Sequence, residues 1–251
     1  MSNSTKDIFS AHADLYAKYR PLYPGELYDF ILQHVIARES ALDCGTGNGQ
    51  AAGVLAGYFK EVHATDISKQ QIEKALQKSN LHYHISKAEK TPFNDDTFDL
   101  ITSATALHWF SFDDFFTEMK RIGKNNAVFA CWGYQVLRTD VPGINELIDE
   151  FYSKTINSYW DPERRYVDEE YKTIPFPFEE ISNPGFATRL QWDLETLEGY
   201  LNTWSAVQHY NRKNNVNPVT GLMGQIRRKI RHEVILSITF PIFMRIGIIR
   251  K

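Results

Sequence analysis

The residues best placed to do chemistry form one short run, Leu42-Asp43-Cys44-Gly45-Thr46-Gly47-Asn48-Gly49-Gln50. Glycines at 45, 47 and 49 allow left-handed backbone and let a ligand approach the main chain closely. A helix that opens after such a turn presents unpaired N–H groups and the positive end of its dipole. A carboxylate or a phosphate suits that end equally well. Three features narrow the choice. Gln50 stands where a dinucleotide fingerprint wants its third glycine. Asp43 directly precedes the turn. A carboxylate there repels a pyrophosphate but could help to hold the cationic part of a methionine moiety. Asp66 ends the next predicted strand, where an acidic side chain can accept both hydroxyls of a ribose. Nicotinamide dinucleotides and S-adenosylmethionine both need that contact, so Asp66 alone does not discriminate.

Other reactive side chains carry less. His108 and Trp109 follow a predicted strand. A histidine there could face a substrate and accept a proton from a hydroxyl or amine nucleophile, whereas a carboxylate nucleophile needs no base. Cys44 and Cys131 read as small buried residues without a partner to depress a thiol pKa. Arg164-Arg165 could bind an anionic substrate, but pairing with Glu163, Asp168 and Glu169 is the simpler expectation. The basic run Ile226-Arg227-Arg228-Lys229-Ile230-Arg231-His232 reads as one solvated helix face. Metal-binding HExxH, Walker A and Gly-x-Ser-x-Gly motifs do not occur, and no metal is expected.

The elements that must position these residues alternate. Ser40–Asp43 is a strand, followed by a helix with Ala52, Leu55, Ala56 and Phe59 on one face. Val62–Thr65 is the next strand, and Ser68-Lys69-Gln70-Gln71 reads as a capping box before a helix carrying Ile72, Ala75 and Leu76. Strands follow at His82–Ile85, Phe98–Ser103 and Ala127–Trp132, with a helix from Asp113-Asp114 between the last two. Such alternation predicts an α/β, Rossmann-like, doubly wound and mostly parallel sheet of seven strands. Val234–Ile249 reads as two strands joined near Pro241. Residues 140–217 are rich in aromatics, prolines and charges, with helical patterns at Ile144–Tyr152 and Leu194–Val207. They are expected to form a cap insertion over the acceptor site, carried by a domain made of residues 1–139 and 218–251.

Composition sets outer limits. The 251 residues, 43% of them hydrophobic, suit one large domain with a single sizeable core. A net charge of -3 argues against a dedicated nucleic-acid binder. No stretch is long and apolar enough for a membrane span or a signal core, and the two cysteines fit a reduced, cytoplasmic setting.

Residues 41–50, 62–67, 88–93 and 96–110 together resemble class I methyltransferases of the "methyltransferase type 11" kind. That resemblance implies S-adenosylmethionine as cofactor and S-adenosylhomocysteine as product. It implies cofactor contacts at Asp43, Gly45, Thr46, Gly47, Asp66 and Ile67. It also implies them at Ala88 and Glu89 near the adenine, and at Ala104 and Thr105 under the methionine end. Tyr16-Ala17-Lys18-Tyr19-Arg20-Pro21 and Leu107-His108-Trp109-Phe110 resemble, more narrowly, the trans-aconitate methyltransferase-like branch. By that resemblance Tyr19 and Arg20 meet the methionine carboxylate, His108 and Trp109 face the substrate, and a small carboxylic acid is the acceptor. Two rivals stay open at this level: an NAD(P)-dependent oxidoreductase, and a catalytically silent protein that only binds the cofactor or its product.

Overall fold

The structure, a computed structural model, describes residues 19–230 and 234–251. Five parallel strands build the frame: β1 (Ser40–Cys44), β2 (Glu61–Asp66), β3 (Leu81–Ile85), β4 (Phe98–Ala104) and β5 (Gly123–Tyr134). A long strand, β9 (Leu236–Ile248), runs antiparallel to β5. Three further segments, β6 (Arg138–Thr139), β7 (Glu179–Ile181) and β8 (Phe186–Trp192), also pair with β9. β6 continues the line of β5 along one edge of β9, and β7 and β8 share the other edge. The sheet is therefore seven positions wide, as expected, although it contains nine strand segments.

Alternation along β5 shows how the sheet divides its two cores. Val128, Ala130 and Trp132 face one core, and Phe129 and Cys131 the other. The first core also takes the helices Gly25–Gln33, Gln50–Leu55, Ile144–Glu150, Leu194–Leu201, Ser205–Asn214 and Pro218–Lys229. The second takes the helix Phe112–Ile122 through Phe115, Phe116, Met119 and Ile122. That helix carries Asp113 and Asp114 in its first turn and Lys120 and Arg121 in its last, each matched to the dipole.

Two sequence expectations need correction. Pro241 does not divide the C-terminal segment; β9 runs through it unbroken. Its carbonyl accepts from Gln135 N at 2.9 Å, on the side where β5 gives way to β6. In an antiparallel ladder a residue's N and O point to the same neighbour. The donor that proline lacks would therefore fall in that break, and the strand tolerates it. The segment 140–217 is also not all cap, because β7 and β8 lie in the sheet. The helical layer consists of Ile144–Glu150, Arg164–Asp168, Leu194–Leu201, Ser205–Asn214 and Pro218–Lys229. The helical pattern at Leu194–Val207 is broken at Trp204, which stands outside both helices. Of the basic run, Arg231 and His232 lie outside the described residues; Arg227 pairs with Glu198 at 2.5 Å.

The chain winds from β1 outward to β3, then returns to lay β4 on the other side of β1. β1 and β4 thus flank the switch point, where an open α/β sheet offers a crevice at its C-terminal edge. Asp99 fixes this junction from below. Its Oδ2 accepts from Glu39 N and Ser40 N, both at 3.0 Å, and its Oδ1 pairs with Lys124 Nζ at 2.7 Å. Asp99→Ala leaves two strand-entry amides and a lysine without their acceptor. Urea unfolding should show a loss of about 3 kcal/mol, as expected for buried, charge-assisted bonds, with native far-UV dichroism before the transition.

Candidate cofactor and acceptor site

The loop after β1 is held by what its amides donate to. Gly45 N and Thr46 N both bond to Thr65 O, at 2.9 and 3.0 Å. Gly47 N donates to Asp66 Oδ2 at 2.8 Å, and Gly49 N to Thr46 O at 3.0 Å. These N–H groups are already committed within the protein. The loop therefore offers shape and a nearby carboxylate rather than a ring of free donors for a pyrophosphate. Two glycines are required for different reasons. Gly45 has φ +67°, and a Cβ there would stand 2.5 Å from Ala106 Cβ. Gly47 has φ +57°, and a Cβ there would meet nothing within 4 Å: it would project into the cleft that the loop lines.

Asp43 does not reach that cleft. It is buried, with Thr46 Oγ1 donating to one oxygen at 2.7 Å and Thr102 Oγ1 to the other at 2.8 Å. Burial pushes its pKa up to about 6 against the opposing pull of those two hydroxyls. It ties the glycine loop to β4, and the expected direct cofactor contact is replaced by this bracing role.

The cleft itself lies above the C-terminal ends of β1 to β4. Gly45, Thr46, Gly47, Asp66, Ile67, Ala88, Glu89, Ala104, Thr105 and Trp109 all line it. Asp66 ends β2 with Oδ1 accepting from Ser68 N at 2.8 Å, so its carboxylate is clamped by two amides. Glu89 sits on the loop after β3, its Oε1 accepting from Ser111 N at 3.0 Å. Glu118 holds that loop by accepting from Thr91 N at 2.7 Å and Thr91 Oγ1 at 2.6 Å. Tyr23, Ser68, Gln71, Ser86 and Phe110 also line the cleft, and sequence reasoning missed them. Their types carry no signal; only the fold brings them there.

Thr105 closes the inner wall. It is a β-branched residue at φ +55°, a conformation that such residues avoid. Its N donates to Trp132 O at 2.7 Å, and its Oγ1 bonds Tyr23 Oη at 2.8 Å. Strain of this kind costs about 1–3 kcal/mol and persists where surrounding contacts enforce it. Behind Thr105 and Trp109 lies a second chamber, which those two residues share with the cleft. Arg20, His108, Tyr134, Trp160, Asp161, Arg164, Tyr200 and Trp204 are in its wall.

Arg20 therefore belongs to the chamber and not to the cleft, with its guanidinium 5.4 Å from the Tyr200 ring centre. Tyr19 packs against Gly199, where any Cβ would come within 2.4 Å of its ring, and it lines neither cavity. Tyr16, Ala17 and Lys18 lie outside the described residues. Arg164 does both things weighed for it. It pairs with Asp168 at 3.2 Å and lines the chamber, its guanidinium 4.9 Å from the Trp160 ring centre. Arg165 instead donates to Tyr166 Oη at 2.8 Å. His108 is buried, bonded through Nδ1 to Tyr171 Oη at 2.8 Å. Burial, aided by the charge of Arg164, pushes its pKa down to about 3.

Residues 42–131 match the family described as a methyltransferase domain. A Dictyostelium discoideum protein named as a methyltransferase is 30% identical over 245 residues, covering 95% of this chain and 93% of that protein. The chain belongs to the class I S-adenosylmethionine-dependent methyltransferases. A solved structure described as a type II methyltransferase, from Anaeromyxobacter dehalogenans, agrees with this methyltransferase over its whole fold. It is 36% identical, has a TM-score of 0.85, and covers 92% of this chain and 99% of its own. A Saccharomyces cerevisiae protein named as an S-adenosylmethionine-dependent methyltransferase is 31% identical over 138 residues, 51% of this chain and 46% of its own length.

The cofactor of this methyltransferase is S-adenosylmethionine. The cleft fits it on two counts: a clamped acidic diol acceptor at the end of β2, and a glycine whose missing side chain leaves room at the loop. Alanine at the two glycines should separate stability from binding. Gly47→Ala is expected to weaken S-adenosylhomocysteine binding at least tenfold, at a stability cost of about 1 kcal/mol for the positive φ. Gly45→Ala should lower the melting temperature further through its clash with Ala106. Calorimetric titration and thermal melts check both; unchanged affinity in Gly47→Ala would remove the loop from the site.

Proposed function

We infer that this methyltransferase acts on a small acceptor bearing a carboxylate, and that a carboxylate oxygen takes the methyl group. The observation that carries the reading is the chamber: an aromatic-lined space that adjoins the cleft at Thr105 and Trp109, with Arg20 and Arg164 in its wall. A guanidinium beside aromatic faces suits a planar carboxylate, which it meets with paired N–H groups. Arg164 Nε is engaged by Tyr152 Oη at 2.8 Å and by Asp168. The Nη edge remains for the acceptor. The resemblance of the His108–Trp109 region to the trans-aconitate branch points the same way.

Roles in the cleft follow from position. Asp66 takes the ribose hydroxyls, Ala88 and Glu89 the adenine edge, and Gly45, Gly47, Ala104 and Thr105 surround the methionine end. When bound, S-adenosylmethionine supplies a methyl carbon on a sulfonium leaving group: the acceptor's O–CH3 bond forms as the S–CH3 bond breaks, and the pair stays on sulfur. The protein contributes alignment and exclusion of water. A carboxylate has no proton to lose, so no base is needed. His108 suits that role, because a buried imidazole with so low a pKa is a poor proton acceptor at neutral pH. It lines the chamber as a neutral contact, with Trp109 beside it at 4.8 Å between ring centres. No helix among the described residues is long and apolar enough to cross a membrane. Cys44 and Cys131 are both buried free thiols, in keeping with a cytoplasmic enzyme.

Two measurements test this reading. Supplied with methyl-labelled S-adenosylmethionine and a cell-extract metabolite pool, the protein should yield label in a base-labile methyl ester. Base-stable label would move the nucleophile to nitrogen or a hydroxyl, and S-adenosylhomocysteine binding without transfer would make the protein a silent binder. The pH profile gives a second check. His108 is neutral in the fold well below its ordinary value near 6.5, so kcat/KM should be flat from about pH 6 to 8. An inflection near 6.5 that disappears in His108→Asn would restore it as general base.

A further inference from the structure

The chamber wall contains two polar atoms whose needs are opposite. Asp161 has a side chain only 9% exposed, and its Oδ2 has no hydrogen-bond partner among the described residues. The nearest cationic candidate, His209 Nδ1, stands 3.9 Å away and bonds to Tyr159 O at 2.9 Å. A carbonyl can only accept, so that nitrogen carries its proton toward Tyr159 and not toward Asp161. Trp160 is the adjacent residue. Its Nε1, a donor only, is buried and lacks an acceptor among the described residues. Buried polar groups are rarely left this way, and such groups in a ligand chamber mark what the ligand brings.

Arg164 stands one turn further on, its N donating to Asp161 O at 2.9 Å. Residues 160–164 of the chamber wall therefore carry a guanidinium for an anion, a buried carboxylate oxygen wanting a donor and a buried indole N–H wanting an acceptor. A hydroxyl satisfies the last two at once, because it donates one hydrogen and accepts on oxygen. An ammonium group could serve Asp161 but would leave the indole unpaired.

We propose that the acceptor is a hydroxy-carboxylic acid, its carboxyl end held by Arg164 and its hydroxyl seated between Asp161 and Trp160. Asp161 is then a specificity-determining residue that touches the acceptor and takes no part in bond making. This rests on the reading of the chamber as the seat of a carboxylate acceptor. It goes further by excluding plain acids, whose methylene would leave the Asp161 carboxylate buried and unpaired.

The test uses three aromatic acids of nearly equal size: 3-phenylpropanoate, 2-hydroxy-3-phenylpropanoate and phenylalanine. Each is offered with labelled S-adenosylmethionine to the full-length protein and to Asp161→Ala and Asp161→Asn. Wild-type kcat/KM should favour the hydroxy acid over the plain acid by tenfold or more. Asp161→Ala should erase that preference while S-adenosylhomocysteine binds as before, which shows an intact fold. Asp161→Asn keeps an acceptor oxygen and should retain part of it. Equal use of all three acids, a preference for phenylalanine, or a preference untouched by Asp161→Ala would overturn the hydroxyl assignment while leaving the carboxylate reading in place. Methylation of none of the three, with product binding intact, would overturn both.

Discussion

One buried carboxylate holds the site's two walls in register. Asp43 reaches the glycine loop through Thr46 and the fourth strand through Thr102. A charge so deep in a sheet is costly unless its hydrogen bonds are supplied, and here two hydroxyls supply them. Everything that borders the cleft is referred to this tie. The loop in turn gives its amides to Thr65 and Asp66. The end of β2 is thereby locked to the end of β1, and the Asp66 carboxylate is held by two amides. Recognition comes from a rigid outline and one clamped acid. That arrangement also explains why a loop resembling a dinucleotide fingerprint belongs to a different kind of nucleoside ligand.

Much of the cleft lining was legible in the sequence because its residues are local. Gly45, Gly47, Asp66, Ala88, Glu89 and Thr105 each follow a strand end, and strand ends show as apolar runs that stop at a turn. Asp43 was found but misassigned: sequence places it beside the ligand loop, and only packing decides whether a side chain faces the cleft or the sheet beneath. The chamber was legible only at Arg164, whose charge suggests an anion; Trp160 and Asp161 beside it, and Tyr200 and Trp204 some forty residues on, reach the same wall only through the fold. Pro241 misled for a related reason. A proline suggests a break in its own strand, whereas here the break lies in the neighbour opposite it.

The two cavities meet at a strained residue. Thr105 holds a backbone conformation that a β-branched side chain disfavours, enforced by Trp132 O and Tyr23 Oη. Thr105 lines both cavities, so small shifts there change the boundary between them. Tyr23 also stacks on Tyr134, at 5.0 Å between ring centres, so the same residue braces the cleft wall and the chamber wall. Donor and acceptor geometry are coupled through one aromatic bracket.

The double-sided pairing of β9 bears on how the molecule is made. Three strand segments, β6 to β8, find their partner among the described residues only in residues 236–248, which leave the ribosome after all of them, and β5, already paired with β4, finds its second partner there. During synthesis the parallel strands that frame the cofactor cleft can assemble first, while β7 and β8 wait with unpaired edges. Such edges are the usual starting points for misassembly. The nascent chain thus passes through a stage in which β4 and β5 can pair while β7 and β8, on the far side of β9, have nothing to rest on.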